Sequence, residues 1–132
     1  MDLFSLEGRK AALLGGGGVL GAAMAKGLVD AGADVAVCDL DLEKAQAVVD
    51  SVTSGKSGGI TCEDKPRRPV VKAYRVDAMD IESIRATAAA IFNDFGRVDI
   101  LVNAVGGNMK GATTSDEVSF FDLDAEMLNK VV

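Results

Sequence analysis

Apolar and polar positions along this chain follow two periods, and the periods take turns. Ala11 to Leu14 is a short apolar run that leads into four glycines, Gly15 to Gly18. A first strand is expected over Arg9 to Leu14, nearly continuous in apolar residues, as in a strand covered on both faces. Val19 to Ala31 then reads as a helix with Leu20, Met24, Leu28 and Ala31 as its apolar stripe. Alanines at 22, 23 and 25 let it lie close to a sheet, and Gly32 stops it. Asp34 to Asp39 is a second strand, and Asp41 can cap a second helix that buries Leu42, Ala45, Val48, Val49 and Val52. Ser51 to Pro69 lacks periodicity and reads as a long exposed loop. Val70 to Val76 is a third strand. Asp80 caps a third helix with the stripe Ile81, Ile84, Ala88, Ile91, Phe92 and Phe95, closed by Gly96. Val98 to Asn103 is a fourth strand, followed by a glycine-containing loop, Ala104 to Gly111. Thr114-Ser115-Asp116-Glu117 has the form of a capping box, and a last helical pattern runs from about Asp122 or Asp124 to Val132.

Strands alternating with helices imply parallel strands joined by right-handed crossovers. The expected fold is therefore α/β, a Rossmann-type doubly wound sheet of strand order 3-2-1-4, with residues 1–132 forming one dinucleotide-binding domain. Ligands on such sheets bind beyond the carboxyl ends of the strands, at the switch point between strands 1 and 4. Three chemically suggestive places fall there: the glycine loop, Asp39, and Asn103 to Gly107.

Gly16, Gly18 and Gly21 fit G-x-G-x-x-G, and Asp39 stands 18 residues after Gly21. A pyrophosphate needs backbone N–H groups and the positive end of a helix, with no side chains in the way. A carboxylate at the tip of the next strand accepts from both adenosine ribose hydroxyls and repels a 2′-phosphate, which selects NAD over NADP. The bland alternatives are a glycine turn that binds nothing and an Asp39 that serves as N-cap of the second helix.

Bulk properties narrow the field. A chain of 132 residues with 48% hydrophobic residues carries a real core, and disorder is excluded. A net charge of −6 argues against nucleic acid. The one basic run, Lys65, Arg67, Arg68, Lys72 and Arg75, reads as a solvated loop entering a strand. With no histidine and only two cysteines, no metal site is expected; Cys38 belongs in a buried strand, Cys62 in a polar loop. Gly55-Lys56-Ser57 has a P-loop ending, but Asp50 replaces the required glycine and a helix precedes it. The first eight residues have no basic region and no apolar run, and no segment reaches membrane-spanning length, so a cytoplasmic protein is expected.

These residues resemble the short-chain dehydrogenase/reductase family over nearly the whole chain. Leu14 to Gly21 sits where the family has T-G-x-x-x-G-x-G, and Asp39 is at its cofactor-selecting position. Asp77-Ala78 is similar to the family's D-V segment against adenine, and Leu101-Val102-Asn103-Ala104-Val105-Gly106 to its L-V-N-N-A-G. Leu14, Val19 and Ala104 depart from the usual threonine, glycine and asparagine. The resemblance implies NAD contacts from Gly15, Gly17, Gly18, Val19, Leu20, Gly21, Asp39, Leu40, Asp77, Ala78, Asn103, Ala104, Val105 and Gly106. Asp77 reads equally well as a strand-end turn residue, Asn103 as a scaffold residue satisfying backbone groups, and Asn108 and Lys110 as solvated loop. The glycine loop, Val105 to Asn108, Ala112 to Thr114 and Ser119 to Asp124 are similar to the mannonate and fructuronate oxidoreductase branch, which implies a sugar-acid substrate.

The family's Ser and Tyr-x-x-x-Lys are missing. Tyr74 is the one tyrosine, and Ala78 stands where the lysine would follow. No catalytic residue is therefore assigned. The chain reads as the cofactor half of a longer dehydrogenase that lacks the later strands and is a homo-oligomer at full length. The alternative is a non-catalytic dinucleotide-binding module.

Overall fold

The computed structural model describes residues 3–54, 67–106, 114–117 and 119–131. Gly55-Lys56-Ser57, Cys62, Lys65, Gly107, Asn108, Lys110 and Ala112 lie outside the described residues. Four strands, β1 (Lys10–Leu14), β2 (Asp34–Asp39), β3 (Val71–Arg75) and β4 (Ile100–Asn103), alternate with the helices α1 (Val19–Asp30), α2 (Leu42–Thr53) and α3 (Ile81–Phe95). A 3-10 turn at Phe120–Asp122 and a short helix α4 (Ala125–Val131) follow. All pairings are parallel, in the order β3-β2-β1-β4, as the alternation of periods requires. In the register Leu14 lies beside both Cys38 and Asn103, so the ends of β1, β2 and β4 are level.

Side chains divide by parity between the two faces of the sheet. Ala11, Leu13, Val35 and Val37 pack under α1 and α2 against Ala25, Val29, Ala45, Val48 and Val49. Ala12, Ala36, Cys38 and Val76 meet Ile91 of α3, with Tyr74, Phe95 and Val98 at the margin. The first face is closed. On the second, Ile84, Phe92 and Leu101 are exposed and border an apolar groove of about 320 Å³.

Several expectations are corrected. The strands are shorter: Arg9, Val70, Val76 and Val98 fall outside them, although Arg9, Val70 and Val76 still bond the neighbouring strand through the backbone. At β4 the Asp99 carboxylate accepts from the Lys10 N–H at 2.9 Å, a side chain taking a strand's place. α2 continues to Thr53 before any loop begins. α1 buries Gly21, Ala25 and Val29 most deeply; Met24 and Leu28 of the expected stripe pack against the same core at its margin, whereas Leu20 is exposed. The cause is at its first turn, where Gly21 is pressed against the glycine loop and fixes which face meets the sheet. Of the α3 stripe only Ile91 is buried. Thr114 to Glu117 caps no helix: the Glu117 N–H reaches the Ser115 hydroxyl instead. Asp124, whose carboxylate accepts from Glu126 N–H at 2.9 Å, opens the last helix. Asp41 and Asp80 cap α2 and α3, and left-handed Gly96 ends α3, as their residue types predict.

Two members of the basic run also have definite partners. Arg67 pairs with Asp34 at 2.7 Å and Lys72 with Asp94 at 2.8 Å. Asp34, at the first position of β2, is fully buried and takes Lys10 Nζ, Arg67 Nη2 and the Val70 N–H. Burial pushes its carboxyl up, but the bonds from Arg67, Lys10 and Val70 outweigh that and hold it down at about 2.

Candidate functional site

A cleft of about 470 Å³ opens at the carboxyl ends of the strands, bounded by the loops after β1, β2, β3 and β4. The switch point between β1 and β4 generates it, since crossovers on either side of that point leave in opposite directions. Its walls carry Gly15, Gly18, Val19, Leu20 and Gly21 from the first loop and Asp39, Leu40 and Lys44 from the second. Val76, Asp77, Ala78 and Met79 come from the third, and Ala104, Val105 and Gly106 from the fourth. Four segments distant in sequence thus meet in one place.

The glycines have separable tasks. Gly15 turns the chain with φ +78°, and a Cβ there would lie 2.6 Å from the Ala104 carbonyl oxygen. A Cβ on Gly21 would meet the Gly15 carbonyl oxygen at 2.6 Å, so this glycine lets the helix seat on the loop. On Gly17 it would meet Asp39 Oδ2 and the Lys44 Cβ, both at 2.8 Å. Gly18 differs: a Cβ there would meet nothing within 4 Å, and its φ of −81° suits any residue. The protein's own packing makes no demand for glycine at 18. Its bareness instead keeps open the cleft wall at the start of α1.

That start is equipped for an anion. Gly18 is the N-cap without a side-chain cap, and no acidic residue stands in the first turn of α1. The leading N–H groups therefore have no side-chain cap and no acidic residue of their own turn to satisfy them. Beside the glycine loop, Asp39 is half-buried; its Oδ2 accepts from the Gly17 N–H and its Oδ1 from the Asp41 N–H, each at 3.0 Å. The alternative of Asp39 as N-cap of α2 is thereby corrected, because Asp41 takes the Glu43 and Lys44 N–H groups. These residues suit a dinucleotide: a bare helix start for phosphates and a carboxylate for hydroxyls line one open cleft.

The remaining residues sort clearly. Asp77 is both a cleft residue and a turn former, its Oδ1 accepting from the Met79 N–H and its own N–H given to Ser83 Oγ, each at 2.9 Å. Asn103 is not on the cleft wall; its Oδ1 accepts from the Val105 N–H at 3.1 Å and shapes the fourth loop. Gly17 likewise acts from behind the wall. Sequence reasoning missed Lys44, Val76 and Met79. Lys44 was signalled by its place in the first turn of a helix beginning beside Asp39.

Neither a serine nor a tyrosine lines the cleft among the described residues. Tyr74 is on β3, where its hydroxyl donates to Asp94 at 2.5 Å. Burial first, then that bond and the Asp94 charge, push its ionisation above that of a free phenol, the wrong direction for a base. Cys38 is buried on the α3 face, and burial pushes its thiol up to about 12, which leaves it inert. Among the described residues no metal-ligating cluster forms, and no helix is long and apolar enough to cross a membrane.

Comparison with known proteins adds a family match and three relatives. Residues 9–129 match the profile of a family described as short chain dehydrogenase. An uncharacterized oxidoreductase of Bacillus subtilis, UxuB, is 37% identical over 128 residues, covering 91% of this chain and 42% of that protein. A Haemophilus protein provisionally assigned as a D-mannonate oxidoreductase, solved with bound NAD, superposes with a TM-score of 0.75 at 34% identity. That match covers 96% of this chain and 45% of the other. Pseudomonas aeruginosa RhlG, solved with NADP, superposes at 0.65 with 30% identity over 79% of this chain and 37% of its own. The chain spans about two fifths of the length of such relatives, 42% in the case of UxuB.

Proposed function

The chain belongs to the short-chain dehydrogenase family, and on that premise we propose that it supplies the cofactor half of an NAD-dependent oxidoreductase acting on a small sugar-acid substrate. The observation that carries this reading is the half-buried Asp39 carboxylate sharing one cleft wall with the bare start of α1. A bound NAD supplies the acceptor for hydride leaving a carbinol carbon, and its reduced form the donor to a carbonyl carbon.

The chain's own residues bind and orient. The N–H groups at Gly18, Val19 and Leu20 hold the pyrophosphate, with Gly18 leaving it room to approach. Asp39 accepts from the adenosine ribose hydroxyls, and its charge disfavours a 2′-phosphate. Leu40 with Asp77 and Ala78 flanks the adenine, and Ala104 to Gly106 borders the nicotinamide side. Gly15, Gly17, Gly21 and Asn103 keep these loops in shape. Proton transfer to the substrate oxygen belongs to a Ser and a Tyr-x-x-x-Lys in a longer polypeptide. The fraction of its relatives that this chain spans supports that division. Similarity to the mannonate and fructuronate branch and to the Haemophilus protein supports the sugar acid.

The test is a spectrophotometric assay of the full-length protein with fructuronate and NADH. Loss of NADH that depends on fructuronate is expected. NADH binding without turnover of any sugar acid or sugar alcohol would replace this reading with a non-catalytic module.

A further inference from the structure

Asp39 is engaged before any ligand arrives. One carboxylate oxygen takes the Gly17 N–H in the loop after β1, the other the Asp41 N–H in the turn entering α2, both at 3.0 Å. The fit is close, since a Cβ on Gly17 would sit 2.8 Å from Asp39 Oδ2. A carboxylate offers about four lone-pair positions. Two are used by the backbone, one on each oxygen, and one on each oxygen remains for other donors.

We propose that Asp39 is a positioning residue for the glycine loop. Its carboxylate clamps the loop after β1 to the turn after β2, so that the phosphate-binding and ribose-binding parts of the cleft form one unit. Cofactor choice and loop order are then a single property. The Gly15 and Gly16 N–H groups already anchor the base of the loop on the Cys38 carbonyl at 2.8 and 3.0 Å. Gly17, next toward the start of α1, is held by the Asp39 side chain. Removing the carboxylate releases the part of the loop that leads into the first turn of α1. The consequence for binding rests on the dinucleotide reading above. The clamp itself does not.

Amide hydrogen exchange in the intact protein, without ligand, separates the two. In Asp39→Ala the Gly17 and Asp41 amides should exchange roughly ten-fold faster or more, the scale of a lost hydrogen bond to a charged acceptor. The amides of the buried β1–β2 ladder should keep their rates. Asp39→Asn, with a single acceptor oxygen, should restore protection at one of the two amides. Unchanged Gly17 exchange in Asp39→Ala would overturn the proposal. Should the ladder accelerate in Asp39→Ala as well, Asp39→Asn decides: selective loss at one amide supports the clamp, and uniform acceleration overturns it. Titration of the wild-type sample with NAD reads the other question. Failure to bind NAD would sink the dinucleotide reading and leave the exchange result standing.

Discussion

One strand carries an aspartate at each end, and the two have opposite uses. Asp34 begins β2 fully buried, and its oxygens are consumed by Lys10, Arg67 and the Val70 N–H. Asp39 ends the same strand half-buried, takes only two backbone N–H groups, and faces an open cleft. At the amino end of the sheet charge is neutralised within the protein and serves the fold. At the carboxyl end it is left partly unsatisfied at the edge of an open cleft. Residue type does not distinguish them; the number and kind of partners does.

The largest effect is expected at Asp34. Asp34→Ala strands Lys10 and Arg67 and should lower the free energy of unfolding by about 3 kcal/mol, read by urea denaturation. NAD affinity, measured well below the unfolding midpoint, should stay within about two-fold of wild type because the site is at the other end of the strand. An equal loss of binding would erase the distinction between the two ends.

Acid gives the next largest effect. The Asp34 carboxyl is held at about 2 in the folded chain against 3.8 for the unperturbed group. A depressed folded value contributes stability that is complete above the unfolded pKa and lost as pH falls through the folded one. The contribution, about 2 kcal/mol, should therefore fade over that window. Asp34→Asn should lack this component when denaturation curves are compared across it.

Gly18→Ala should give the smallest change in stability and a clear change in binding. Its Cβ meets no protein atom, so unfolding should shift by less than about 1 kcal/mol. A methyl group at the start of α1 should nevertheless weaken NAD at least about ten-fold, seen by calorimetry. Gly15→Ala sharpens the contrast, because its φ of +78° and the 2.6 Å approach to Ala104 make it chiefly a folding defect.

What could be read from the chain follows the range of the interaction. The four strands, their order, the caps at Asp41 and Asp80 and the stop at Gly96 are legible because each depends on period or on neighbours within a turn. The convergence of the glycine loop, Asp39, Asp77-Ala78 and Ala104 to Gly106 follows from topology. Asp34 was not legible as anything but a strand residue, since its partners come from another strand and from Arg67, 33 positions away. On α1 the stripe holds for Met24 and Leu28 but not for Leu20, because Gly21, with no side chain to count as apolar, seats the first turn on Gly15 and Gly16. The α3 stripe is apolar as its period predicts, yet Ile84 and Phe92 border an open groove, because periodicity reports which face is apolar and not what covers it. Ser115 outcompeted the capping-box geometry at 114–117 with a local turn to the Glu117 N–H.

The central claim is that Asp39 and the start of α1 form a site for NAD. The direct measurement is an equilibrium titration of the protein with NAD and with NADP, repeated on Asp39→Ser. The account predicts that wild type binds NAD at least about ten-fold more tightly than NADP and that Asp39→Ser narrows the gap. Equal or tighter binding of NADP by wild type, or a preference that Asp39→Ser leaves unchanged, would contradict it.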